Sequence, residues 1–112
     1  MLPKINRLKR KKEFKTIFKK GKWCKEGLLV LKLIPNDLGK SRFAFIVSQK
    51  VSKKATVRNR IKRQLREIVR EIIPNIQKGF DGILIVKPGL ESRNFQEVKA
   101  LAKKLFKTAK II

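Results

Sequence analysis

The chain is organised around the stretch Arg58-Asn59-Arg60-Ile61-Lys62-Arg63-Gln64-Leu65-Arg66. Ile61 and Leu65 lie four residues apart in it. At helical spacing they share one apolar stripe with Val57, Ile68 and Ile72. The basic residues then fall on the opposite side of the same helix. We therefore predict a helix over residues 57–73, ended by Pro74, that buries one face and presents a dense cationic face.

The charge of the whole chain points to a polyanionic partner. Its 112 residues carry 31 Lys and Arg against 8 Asp and Glu, a formal net charge of +23. No acidic residue occurs from Leu38 to Arg66, so nothing within that segment neutralises its basic residues. Counterions or a polyanion relieve self-repulsion of this kind. Nucleic acid is the favoured partner, and an anionic membrane surface or an acidic protein are the other choices.

Composition also bounds the class of protein. With 42% hydrophobic residues, residues 1–112 can form one modest core and are expected to be a single domain, with nucleic acid as the favoured partner. No apolar run reaches the roughly 20 residues of a membrane span, and residues 1–7 hold no hydrophobic secretory segment. Cys24 is the only cysteine, which fits a reducing compartment. We expect a cytoplasmic protein with no membrane partner.

The predicted elements follow the order helix, hairpin, helix, strand, helix. They are a helix over 7–20, strands over 28–34 and 42–48, the helix 57–73, a strand over 83–86 and a last helix capped by Asn94 and Glu97. The turn-rich residues 35–41 favour an antiparallel hairpin between the first two strands, and residues 22–25 are a candidate edge strand. This order predicts an α+β sandwich in which helices cover a small mixed sheet.

The residues predict no catalytic or metal site built by the polypeptide. The chain has no His, which removes the commonest general base and any Cys/His zinc site. Among the carboxylates only Glu67 and Glu71 have a helical spacing, and we interpret them as surface ion-pair partners of nearby Arg. The glycines follow no phosphate-loop pattern. We expect no protein-bound cofactor and no small-molecule substrate.

Aromatic residues among the lysines allow two interpretations. Phe14 and Phe18 lie four residues apart in the first predicted helix, with basic residues on both sides. The pair either packs into the core or forms a stacking surface for unpaired bases, worth roughly 1–3 kcal/mol per base. Trp23, with Lys22 and Lys25 beside it, allows the same two interpretations, and for Trp23 we favour packing.

These residues resemble the protein subunit of bacterial ribonuclease P over nearly the whole chain. The segment Glu13–Gly21 is similar to the family's first helix, and Val47-Ser48-Gln49-Lys50-Val51 resembles the strand end before its basic loop. Arg58-Asn59-Arg60-Ile61-Lys62-Arg63 matches the family's Arg-Asn-Arg signature. Gly79-Phe80-Asp81 and the apolar strand after it also fit.

The resemblance implies work beside a catalytic RNA. In this family a large RNA uses Mg²⁺ to hydrolyse a phosphodiester and remove the 5′ leader of precursor tRNA, while the small protein binds that RNA and the leader. By position, the residues facing the catalytic RNA would be Arg58, Asn59, Arg60, Lys62, Arg63 and Arg66. Those lining the leader cleft or touching phosphates beside it would be Phe14, Phe18, Val30, Lys32, Ser48, Lys50, Lys53 and Lys54. The family also implies a left-handed crossover at the central helix, against the usual rule.

Two positions depart from the family pattern. Lys32 stands where the family is often aromatic, so we expect the leader contact there to be electrostatic. Ser52, followed by Lys53 and Lys54, replaces an expected Gly, and the path of this connector stays open.

Charge and size alone also suit two other functions. A ribosomal-type structural RNA-binding protein is the main alternative. A protein that binds double-stranded DNA comes third, because no recognition helix stands apart from the basic stripe.

Overall fold

The computed structural model describes residues 2–8, 10–76 and 79–112. Its helices are α1 (Lys11–Lys20), α2 (Ala55–Ile72) and α3 (Phe95–Thr108). Its strands are β1 (Lys22–Glu26), β2 (Leu29–Pro35), β3 (Arg42–Ile46) and β4 (Phe80–Val86). Short 3₁₀ turns cover Lys4–Asn6, Ile73–Asn75 and Leu90–Ser92. The predicted α+β class is confirmed.

The two later helices form as their sequences predict. α2 buries its apolar stripe, with Ile61, Leu65 and Ile68 at most 1% exposed. α3 begins behind a capping box: the Glu97 backbone N–H donates to Asn94 Oδ1 (2.9 Å), and the Asn94 N–H donates to Glu97 Oε1 (3.2 Å). These contacts satisfy backbone donors at the helix start that otherwise have no partner.

The first helix is shorter than the predicted span 7–20. Arg7 forms a bridge beside Phe43 of β3, and the Leu8 N–H donates to the Phe43 carbonyl at 3.1 Å. These residues are therefore extended along the sheet edge, and α1 starts only at Lys11. Lys9 of the predicted span lies outside the described residues.

The four strands form one mixed sheet in the order β1-β2-β4-β3. β1 and β2 form an antiparallel hairpin, β2 and β4 are antiparallel, and β4 and β3 are parallel. The predicted hairpin between strands 28–34 and 42–48 is therefore wrong, because β4 lies between them. β4 is mostly buried along its length, which suits the interior of a sheet better than its edge. The candidate edge strand 22–25 is confirmed as the hairpin partner of β2.

The sheet separates two apolar clusters. The larger one fills the space between one sheet face and helices α2 and α3. The smaller one, centred on Leu8, Ile17 and Ile83, lies between the other face and α1. α2 makes the crossover between the parallel neighbours β3 and β4, and its left-handedness stays a prediction. Of the described helices α1 alone lies on the second face, where Ile46 and Ile85 remain partly exposed.

Candidate nucleic-acid interface

The cationic face of α2 carries donors that the protein itself does not use. Of the six residues predicted to face RNA, three are exposed and three are half-buried: Asn59, Arg60 and Arg63, then Arg58, Lys62 and Arg66. Within the described ranges, the side chains of Lys62, Arg63 and Arg66 make no hydrogen bond or ion pair. Unpaired guanidinium and ammonium groups on one helix face form a surface suited to phosphate.

Arg58 and Arg60 are anchored inside the protein as well. Arg58 Nη1 donates to the carbonyls of Ser52 and Lys53, at 2.9 Å each, and so closes the loop before α2. Arg60 Nη2 donates to the Glu91 carbonyl at 3.0 Å. A guanidinium has five N–H donors, so each side chain keeps donors for a ligand while these contacts fix its direction.

The connector between β3 and α2 presents the predicted phosphate contacts. Val51 is 5% exposed, and its N–H donates to the Ser48 carbonyl at 3.0 Å, which anchors the loop on the core. The Ser52 hydroxyl accepts a hydrogen bond from the Lys54 N–H at 3.2 Å, so a serine turn forms where the family pattern has Gly. The four predicted residues on this connector are all exposed: Ser48, Lys50, Lys53 and Lys54.

A groove crosses the sheet beside α1. The strand register places Val30 of β2 opposite Ile85 of β4, and Ile85 opposite Ile46 of β3, so these three residues form an apolar row. Val30 is 4% exposed, and Ile46 and Ile85 are half-buried. We call this row, with Phe14 and Phe18 of α1 above it, the α1 groove.

The structure separates the two phenylalanines of α1. Phe14 is half-buried and packs against the small cluster around Ile17 and Ile83. Phe18 is 40% exposed, so a large part of its side chain faces solvent. Core packing therefore describes Phe14, and a stacking surface is available at Phe18.

Lys32 lies beneath two aromatic rings. It is 6% exposed, and its Nζ donates to the Phe18 carbonyl in the last turn of α1. The same Nζ lies 4.3 Å from the ring centroid of Trp23 and 5.7 Å from that of Phe18, which is cation–π distance. This burial does not support the expected direct electrostatic contact of Lys32 with a leader. Its ammonium instead holds the end of α1 and both rings in place.

Trp23 is not packed, contrary to the expectation from sequence. Its side chain is 59% exposed on β1, although the strand register pairs it directly with Lys32. Gly27 is the sequence signal for the position of Trp23. Its φ of 55° permits the tight turn between β1 and β2, and this turn sets the register that pairs Trp23 with Lys32.

A small cleft is lined by residues of both α1 and α2. Phe14 of α1 and Arg66 of α2 line it, together with Ala44 of β3 and with Arg7. Neither the spacing of the basic residues nor that of the aromatics predicts this meeting, because it depends on how α1 and α2 lie across β3.

A buried ionic network holds α1 on the sheet. Asp81 of β4 is 9% exposed and accepts hydrogen bonds from Arg42 Nε (2.9 Å) and Nη2 (2.7 Å) and from Asn36 Nδ2 (2.7 Å). Arg42 also meets Glu13 of α1 at 2.5 Å. The hydrogen bond to Asp81, with the nearby charges of Asp81 and Glu13, raises the pKa of Arg42 above its usual value, so the Arg42 guanidinium stays charged.

The two carboxylates on α2, Glu67 and Glu71, act as ion-pair partners. Glu67 meets Arg70 at 2.9 Å on the surface of α2, as predicted, whereas Glu71 meets Lys99 of α3 at 2.8 Å. In residues 2–8, 10–76 and 79–112, no three His, Cys, Asp or Glu side chains come together as a metal site. No helix in these ranges is long and apolar enough to cross a bilayer.

Comparison with known proteins assigns the family. The family model Ribonuclease P matches residues 2–110. The chain belongs to the ribonuclease P protein family. The ribonuclease P protein component of Synechocystis sp. is 41% identical, covering 99% of this chain and 90% of that protein. A Staphylococcus aureus RNase P protein mutant has a TM-score of 0.90 at 26% identity, covering 97% of this chain and 92% of that one. The RNase P protein from Thermotoga maritima has a TM-score of 0.82 at 34% identity, covering 90% and 94%.

Membership of the ribonuclease P protein family establishes the general function. The chain is an RNA-binding subunit of an endoribonuclease whose catalyst is its RNA, and the holoenzyme removes the 5′ leader of precursor tRNA. Its partners are the ribonuclease P RNA and precursor tRNA. This assignment takes precedence over the ribosomal-type and DNA-binding alternatives.

Proposed function

We propose that α2 and the α1 groove divide the two RNA partners between them. The α2 face, with Lys62, Arg63 and Arg66, binds the catalytic RNA, and the α1 groove binds the single-stranded leader. The observation that carries this division is the shared cleft, which is lined both by Arg66 of α2 and by Phe14 of α1. One continuous surface can therefore bind the leader next to the catalytic RNA.

The chemistry of each surface suits its proposed ligand. The side chains of Lys62, Arg63 and Arg66 on α2 have no intramolecular partner among the described residues, so they are free to bind phosphates of a folded RNA. The α1 groove offers an apolar floor and the exposed Phe18 ring, which favour unpaired bases. Lys50, Lys53 and Lys54 on the connector are exposed, and we assign them to the leader phosphates.

We assign the Mg²⁺ of the reaction to the catalytic RNA. Among the described residues, Glu13, Asp81 and Glu71 are in ion pairs with Arg or Lys, and no carboxylates form a cluster of ligands for a divalent cation. The protein's part is to bind and orient the two RNAs. The proposal places this activity in the cytoplasm.

Phe18→Ala tests the groove. We expect the variant holoenzyme to bind precursor tRNA about 5- to 30-fold more weakly, the equivalent of roughly 1–2 kcal/mol of lost stacking, and to bind mature tRNA as before. Ile5→Ala is a matched control, because Ile5 is also exposed (60%) but lies outside the groove. Equal weakening of precursor and mature tRNA would show that the groove does not hold the leader.

A further inference from the structure

We propose that Trp23 is a second stacking residue, which takes an unpaired leader base at the β1 end of the α1 groove. The inference rests on the proposed function, because it needs the leader in that groove. It assigns to Trp23 a specific ligand, a single-stranded nucleobase.

The first observation is the arrangement of exposed aromatic rings. Phe18 and Trp23 are 40% and 59% exposed, and both contact the ammonium of the buried Lys32. This shared cation fixes the two rings beside each other and leaves their outer surfaces open. A ring held in one direction before the ligand arrives loses little conformational freedom on binding.

The second observation is the charge around Trp23. Lys25, two residues along β1 and so on the same sheet face as Trp23, and Lys19 on α1 are exposed, and neither side chain has a hydrogen-bond or ion-pair partner among the described residues. The nearby Glu26 is paired with Lys104 at 3.2 Å. Exposed aromatic rings between unpaired lysines are the combination that binds single-stranded nucleic acid, with bases on the rings and phosphates on the amines.

The third observation is the position of Trp23 in the sheet. Three inter-strand steps separate β3, beside α2, from β1, where Trp23 lies. These steps amount to about 14 Å at the usual strand spacing, or about four nucleotides at the stacked rise of one strand. A leader that enters beside α2 and follows the groove therefore reaches Trp23 only if it is long enough. Trp23 would therefore stack on a leader nucleotide several positions away from the one beside β3.

The fluorescence of the protein reports this site directly, because Trp23 is the only Trp and the chain has no Tyr. We would assemble the holoenzyme with a bacterial ribonuclease P RNA and add precursor tRNAs with leaders of increasing length. We expect the emission to be quenched only above a threshold length, and not by mature tRNA. One abasic leader nucleotide should abolish the quenching and so identify the stacked base.

Variants provide the second arm. Trp23→Ala should weaken precursor binding about 5- to 30-fold, Trp23→Phe should retain most of the affinity, and mature tRNA binding should not change. Leu38→Ala is the control, since Leu38 is 51% exposed in the turn between β2 and β3. An unchanged Trp23→Ala affinity, or quenching by the catalytic RNA alone, would overturn the proposal.

The two proposals fail in different ways. If Phe18→Ala selectively weakens precursor binding and Trp23→Ala does not, the leader occupies the groove and ends before β1. If neither variant distinguishes precursor from mature tRNA, the groove assignment itself is wrong.

Discussion

Asp81→Asn should destabilise the protein far more than the loss of one charge explains. The substitution retains the size of the side chain but turns one acceptor oxygen into an NH₂ donor. Arg42 now donates through Nε and Nη2 to the two oxygens of Asp81, at 2.9 and 2.7 Å, so one of these donors would face another donor.

The expected magnitude follows from burial. Hydrogen bonds to charged groups contribute about 1.5–3 kcal/mol each, and breaking a buried ion pair costs about 3–5 kcal/mol. Arg42 retains Glu13 as a partner, and the side chains of Arg42 and Asp81 are 22% and 13% exposed, so the cost falls below that of a fully buried pair. We expect a loss of about 2–3 kcal/mol in the free energy of unfolding, from a total of roughly 5–15 kcal/mol.

Asp37→Asn is the matched control. Both substitutions raise the formal charge from +23 to +24, but Asp37 is exposed and has no partner among the described residues. We expect Asp37→Asn to change stability by at most about 0.5 kcal/mol. The assay is urea unfolding at one fixed salt concentration, with far-ultraviolet circular dichroism as the measured signal. Equal destabilisation by the two variants would refute the reasoning and leave only the general charge effect.

Three further outcomes follow from the site. Arg63→Ala should reduce the salt dependence of catalytic-RNA binding by about one unit of log K per log salt. Arg93 precedes α3 and is already paired with Glu97, so Arg93→Ala should leave that slope unchanged in the same titration. Arg58→Ala should both weaken RNA binding and expose the connector, seen as faster proteolysis at residues 52–54, because two carbonyls lose their donor. The hydrogen bond from Lys99 lowers the pKa of Glu71 below its usual value, so this pair stabilises the fold above the unfolded pKa and its contribution is lost on acidification. Glu71→Gln should therefore reduce the dependence of the unfolding midpoint on pH in the acidic range. An unchanged pH dependence would contradict the pairing.

The sequence predicts those parts of the molecule that depend on local spacing. The stripe from Ile61 to Ile72 predicts α2 within two residues at its start, and the Asn94–Glu97 pair predicts the start of α3. The cationic face of α2 follows from the same periodicity. Helix patterning and capping are local, so neighbouring residues decide them.

Local spacing in the sequence does not predict the strand order or the contacts between side chains that are distant in the chain. The turn residues 35–41 favour a hairpin, yet β4 displaces it because an interior strand buries more apolar surface than an edge strand. The family resemblance predicts that Lys32 reaches the leader. The pairing of β1 with β2 instead places Trp23 beside Lys32, and the last turn of α1 supplies a carbonyl that accepts a hydrogen bond from the Lys32 ammonium. Both outcomes depend on contacts between residues remote in sequence.

Cleavage of a precursor tRNA by a bacterial ribonuclease P RNA at low Mg²⁺, with and without this protein, tests the central claim most directly. We expect the protein to restore accurate 5′ cleavage, and the Phe18→Ala variant to restore it only at higher precursor concentration. If the protein binds both RNAs and cleavage does not change, the cationic face is a general RNA-binding surface and the proposed division between α2 and the α1 groove is wrong.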